Sequence, residues 1–142
     1  MNEKYIYQFV KLLSSGKPDY LSDVDKQGSL PVYDFEDSHF IPYNKSKSDE
    51  LKSSARIMLK DKIKHGLCNP GIVGIRVNNI LDSNFPEDIK FLLGTVRFNT
   101  IFLPKIEDET YIEKCLFVFN KKKIKYRNLI PVIECSRGLK NV

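Results

Sequence analysis

Tryptophan is absent from this 142-residue chain, and histidine and cysteine are scarce, at two and three residues. The histidines, His39 and His65, stand far apart and make no metal-spaced pair; His39 reads as a surface-loop residue. Cys68, Cys115 and Cys135 are odd in number and lack C-x-x-C spacing. That argues against a disulfide framework and a zinc knuckle, and fits a reducing, cytoplasmic setting in which they act as small buried hydrophobes. No apolar run approaches the ~20 residues that cross a bilayer, and the N-terminus carries no small-residue cleavage site. Neither a membrane span nor a signal peptide is expected. A Gly-rich phosphate loop and a Ser/His/Asp set are also missing.

What is present is the balance of a folded protein, 42% hydrophobic and 29% charged, enough for a single domain over residues 1–142. The net charge is +5, yet the basic residues are spread out. The one tight run, Lys121-Lys122-Lys123 with Lys125 and Arg127, reads as a solvated loop, so no nucleic-acid partner is expected. Five apolar runs recur, at residues 5–13, 30–35, 72–77, 100–103 and 129–133, without strict alternation. Such runs suit strands buried on both faces of a parallel sheet.

Between these runs the periodicity turns helical. Leu51, Ala55, Met58, Leu59 and Lys62 share a face, with Ser48 or Asp49 as the cap. Ile112, Cys115, Leu116 and Phe119 form the apolar stripe of a helix over 108–120, acidic at its start. Another helix is predicted from Pro86 to Leu93, and a short one over 17–26. Residues 14–18 and 43–48 read as loops. Alternating strands and helices predict an α/β fold on a parallel sheet.

Parallel α/β folds place their chemistry at the C-terminal strand ends. There the chain offers Glu36 and Asp37, then Arg76 and Asn78, then Lys105, then Glu134. A charge embedded in an apolar run needs a partner, a metal or a ligand. Each has a structural explanation alone: Glu36 or Asp37 can cap a helix, Lys105 can pair with Glu107, and Arg76 can close an ion pair. Together, at successive strand ends, they point to a site.

These residues also carry a resemblance. Asp34-Phe35-Glu36-Asp37 is similar to the Asp-Leu-Glu-Asp signature of the HpcH/HpaI aldolase and citrate lyase β-subunit family. Gly16-Lys17-Pro18-Asp19, Ala55-Arg56, Arg76-Val77-Asn78, Leu103 to Glu107 and Pro131 to Leu139 resemble further motifs of that family, in the same order. The resemblance implies part of a (β/α)8 TIM barrel, about five βα units, and a metal-dependent carbon–carbon lyase or aldolase acting on an oxo-acid or acyl-CoA. It implies that Arg76 contacts the substrate carboxylate or carbonyl, with Asn78 and Lys105 alongside. Glu134 would ligate magnesium or another divalent cation, and Glu36 and Asp37 would lie beside the metal and position its waters.

A complete barrel takes about 250 residues. The family's second metal-binding carboxylate follows a sixth strand, so magnesium is expected to bind this chain alone weakly or not at all. The expectation is therefore a fragment, a chain completed by homo-oligomerisation or a partner, or a degenerate relative serving as a non-catalytic interaction subunit. An unrelated doubly wound module that recognises an anion through the basic loop is the remaining alternative.

Overall fold

The computed structural model describes residues 6–10, 29–95 and 97–141. The helix expected over 17–26 and the loop at 14–18 lie outside them. Five parallel strands form one sheet in the order β1-β2-β3-β4-β5: β1 (Ile6–Val10), β2 (Ser29–Asp34), β3 (Gly74–Arg76), β4 (Phe98–Leu103) and β5 (Tyr126–Pro131). Sequential order without a reversal is the order of a partial α/β barrel. It leaves no topological switch point, so the doubly wound alternative falls.

The helices are α1 (Lys45–Lys64), α2 (Phe85–Leu93), α3 (Glu109–Lys122) and the short α4 (Ser136–Lys140). α1 begins earlier than its apolar stripe announces. Its cap is Asn44, whose side chain accepts from the Lys47 N–H, rather than Ser48 or Asp49, and residues 45–48 of the loop expected at 43–48 are helical. Ser48 bonds instead to the chain entering the helix, accepting from the Ile41 N–H at 2.8 Å. Asp108 caps α3 by accepting from the Thr110 N–H. The segment expected as a strand from Ile72 is shorter: Asn69 bonds the Gly71 N–H and bends Pro70–Ile72 into a 3-10 turn before β3 starts.

Period-two alternation divides the strands between two apolar layers. Tyr33, Phe35, Ile75, Val77, Ile101 and Leu103 join the core, which also holds Ala55, Leu59, Ile89, Phe91, Cys115 and Phe119 from the helices. Leu30, Val32 and Phe102 make a smaller layer on the opposite face, with Tyr7, Ile130 and Val132 packed on it. Gly74 belongs to that second layer. A Cβ there would sit 3.1 Å from Val32 Cγ2 and 3.4 Å from both Leu30 and Phe102, so the close approach favours glycine. Cys68 and Cys115 are buried as expected, whereas Cys135 is half-buried and caps α4. No described helix is long and apolar enough to cross a membrane.

Candidate active site at the strand ends

The strand register builds the site. Asp34, the last residue of β2, lies opposite Arg76, the last of β3, and Arg76 lies opposite Phe102 of β4. All three fall on the face of the smaller apolar layer. Asp34 and Arg76 form a bidentate pair, Nε to Oδ1 at 2.8 Å and Nη2 to Oδ2 at 2.7 Å. The rest of the Asp34 carboxylate accepts from the Glu36 N–H, the Ser38 N–H and the Ser38 hydroxyl. Burial pushes the Asp34 carboxyl up, but the hydrogen bonds and charge of Arg76 outweigh it and hold the group below its usual value. The aromatic ring of Phe9 on β1 covers the guanidinium, 4.9 Å from its carbon.

Three more carboxylates surround the other edge of Arg76. Nη1 lies 3.4 Å from Glu134 and 3.5 Å from Glu36, and Nη2 lies 3.6 Å from Asp37. Lys105 closes the ring: its Nζ is 2.6 Å from Glu36 and 3.3 Å from Asp37, and its backbone N–H donates to Glu134 at 3.2 Å. The Lys105 backbone is left-handed, with φ of 53°, a conformation that costs a non-glycine residue energy and here aims both N–H and side chain at acids. Lys105 therefore pairs with Glu36 and Asp37 instead of Glu107. Desolvation raises the Glu36 pKa, opposed by Lys105 and reinforced by the Asp37 charge.

Arg76, Glu36, Asp37, Lys105 and Glu134 thus come together, and Asn78 does not. Asn78 is fully buried. Its amide donates to Asp88 at 2.8 Å and to the Phe35 carbonyl at 3.1 Å, and its oxygen accepts from Lys52 at 2.5 Å. Asp88, itself fully buried, also takes the Asn78 N–H and the Arg56 guanidinium at 2.8 Å. This network ties β2, β3, α1 and α2 together beneath the site. Burial lifts the Asp88 pKa to about 6 against the hydrogen bonds that lower it. His39, expected on the surface, is buried, with Nδ1 donating to the Asp34 carbonyl at 3.0 Å.

Sequence reasoning left Asp34 out of the site although it opens the acidic motif. A carboxylate two residues before another reads as part of one loop, whereas the strand ends between them and only Asp34 is in register with Arg76. Lys52, Arg56 and Asp88 were hidden because each lies within a helix whose polar residues are ordinarily solvated.

The site is rich in carboxylate oxygens, the donors that hard divalent cations take. Four carboxylates face two cationic side chains, and exposed Glu134 is held, among the described residues, by long contacts to Arg76 and Lys105. Among the described residues, no three His, Cys, Asp or Glu side chains gather closely enough to hold an ion.

No protein-family model matches the chain, and no curated protein does. Solved structures match over nearly its whole length. CitE from Mycobacterium tuberculosis, in complex with magnesium, acetoacetate and coenzyme A, superposes with a TM-score of 0.66 at 20% identity, over 95% of this chain and 41% of its own. The citrate lyase β subunit from the same organism gives 0.65 at 20% identity, over 95% and 49%. RipC from Yersinia pestis gives 0.63 at 19% identity, over 98% and 50%. The fold is shared. The chain spans about half the length of these proteins, so the likeness bears on the architecture that carries the site.

Proposed function

We propose that the chain carries the substrate-recognition half of a metal-dependent carbon–carbon lyase or aldolase site for a 2-oxo acid or acyl-CoA, completed by further strands. The observation behind this reading is the posture of Arg76. Asp34 clamps one edge of its guanidinium, while Nη1 faces Glu36 and Glu134 at 3.5 and 3.4 Å. A fork held on one side presents a fixed donor to a substrate carboxylate or to the developing enolate oxygen. Lys105 balances the acids and offers a second cationic contact. Glu36 and Asp37 position water, and Asn78 holds the β2 and β3 ends in place without touching substrate. Glu134 would hold magnesium or another divalent ion, which when bound supplies Lewis acidity beside the carbonyl. The magnesium, acetoacetate and coenzyme A bound by the structurally similar CitE support this choice of ligands.

Calorimetric titration with pyruvate and acetoacetate, with and without magnesium, tests the reading. Saturable oxo-acid binding is expected. Arg76→Lys should weaken it about 10-fold, since a lysine loses the fork and hydrogen bonds to charged groups contribute about 1.5 kcal/mol or more. Glu134→Ala should abolish any enhancement by magnesium.

One observation favours the non-catalytic alternative: Arg76 and Lys105 already face carboxylates. If neither oxo-acid nor magnesium binds even at millimolar concentration, the interaction-subunit reading replaces the catalytic one.

A further inference from the structure

The chain entering α1, the first turns of α1 and the loop after β3 enclose a cavity of about 380 Å³, apart from the strand-end residues. Lys52 and Asp82 both line it, and they do not complete each other. The Lys52 side chain is buried, at 6% exposure. Its ammonium carries three N–H donors. Among the described residues one donor has an acceptor, Asn78 Oδ1 at 2.5 Å, while Asp82 Oδ2 stands 3.9 Å away, beyond hydrogen-bond reach. Asp82 uses Oδ1 for the Asn84 N–H and side-chain amide, at 2.7 and 3.1 Å. Burial pushes the Asp82 carboxyl up, but the Asn84 bonds and the Lys52 charge hold it below its usual value, so it is an anion at neutral pH. The other two charged side chains of the lining, Lys45 and Asp49, are paired with each other at 2.6 Å.

We propose that this cavity binds a free α-amino acid with an apolar side chain, as its zwitterion. The ligand carboxylate takes the remaining Lys52 donors, and its ammonium donates to Asp82 Oδ2. A simple anion would meet Asp82 and Asp49, and a simple cation would meet Lys52 and Lys45. A ligand with both charges on one carbon matches a cation and an anion held 3.9 Å apart. The walls are fixed, because Lys45 donates to the Ser83 hydroxyl at 3.0 Å and Asn84 donates to Asp49 at 2.7 Å, tying α1 to the loop.

Two aromatic rings complete the lining. Phe40 is 60% exposed and Tyr43 fully so, and neither belongs to the core. Tyr43 also has a φ of 61°, a left-handed backbone that costs a non-glycine residue energy. A ring held in solvent at such a position adds nothing to folding, and gives an apolar ligand side chain a surface to rest on. The cavity is at the lower end of small-molecule sites, which span about 300 to 1,000 Å³, and suits a compact ligand. Lys52 also links it to the strand ends, since Asn78 donates to the Phe35 carbonyl between Asp34 and Glu36. The amino-acid site does not depend on the lyase reading.

The test uses the full chain with L-phenylalanine and L-leucine at constant ionic strength, followed by calorimetry and amide NMR shifts. Saturable binding is expected, with the largest shifts at Asn44, Ser48 and Asp82 and smaller ones at Asn78. N-acetyl-L-phenylalanine lacks the ammonium and L-phenylalaninamide lacks the carboxylate. Each should bind at least about 10-fold more weakly, the loss of one hydrogen-bonded charge. Asp82→Asn keeps the Oδ1 acceptor for Asn84; it should weaken the amino acid about 10-fold and leave the acetylated compound no weaker. Tyr43→Gly suits the left-handed backbone, so the thermal midpoint should hold or rise while binding weakens about 3-fold through loss of the ring. Absence of saturation overturns the proposal. So does binding of the acetylated compound or the amide as tightly as the amino acid, which would mean that a single charge is recognised.

Discussion

Arg76 is nearly buried, and its stability depends on which carboxylate is taken away. Asp34 is buried, bidentate and in register with it. Asp34→Asn therefore leaves a desolvated guanidinium without its bidentate partner, with only the longer contacts to Glu36, Asp37 and Glu134, and should cost about 3 kcal/mol in urea unfolding, within the range for breaking buried pairs. Glu36 is buried too, but its charged form is disfavoured by desolvation. Glu36→Gln should cost far less, and equal losses for the two would contradict the division of roles. The pH dependence separates them further. Asp34 has a depressed pKa, so its stabilisation is present above its unfolded value of 3.8 and is lost as pH falls through the lower folded value. Asp88 has the opposite sign. Its folded pKa is raised from 3.8 to about 6, so its charged form weakens the fold at neutral pH and stability rises as pH falls from about 7 towards 4. Glu36, also raised, adds in the same direction. Urea midpoints should accordingly increase from pH 7 to pH 5 and drop at lower pH, with the first limb reduced in Asp88→Asn.

Among the elements, α4 has the tightest seat. A Cβ at Gly138 would lie 2.3 Å from the Ile106 carbonyl oxygen and 2.9 Å from Ile133 Cγ2. Because the first of these is backbone, Gly138→Ala has to displace α4 or the loop after β4, and should lower stability by about 1 to 3 kcal/mol. The loop after β4 carries Lys105, so weaker oxo-acid binding should accompany the lower thermal midpoint. The same elements mark what the amino-acid order revealed. Strands were legible where apolar runs are bounded by charge, as with β2 ending at Asp34, and α3 was legible because its stripe and its acidic start agree. The start of α1 was not, because Lys45, Ser46 and Lys47 have no apolar face and only the Asn44 cap marks the boundary. Arg76, Lys105 and Glu134 could be gathered from strand ends. The inward turn of Asn78 could not, since it depends on Asp88 and Lys52 arriving from two helices.

At the scale of the molecule, β1 and β5 each have one strand neighbour among the described residues, and Ile6 and Phe9 of β1 are 67% and 44% exposed. An apolar strand with unpaired backbone groups on one side invites further pairing. Sedimentation velocity should show concentration-dependent self-association of this chain, and a monomer persisting at high concentration would count against open edges in solution. Magnesium affinity should remain weak for the chain alone and rise when a segment supplying further strands is added, since one carboxylate leaves most of the ion's shell to water. The unbroken strand order carries a consequence for biogenesis. Every new strand docks on the one made just before it, so no partner must wait for sequence far downstream. Ribosomes deliver roughly 5 to 20 residues each second. The sheet can therefore grow one βα unit at a time as the chain emerges, each unit docking on a finished edge. Its growing edge is then the surface most exposed to misassociation during synthesis.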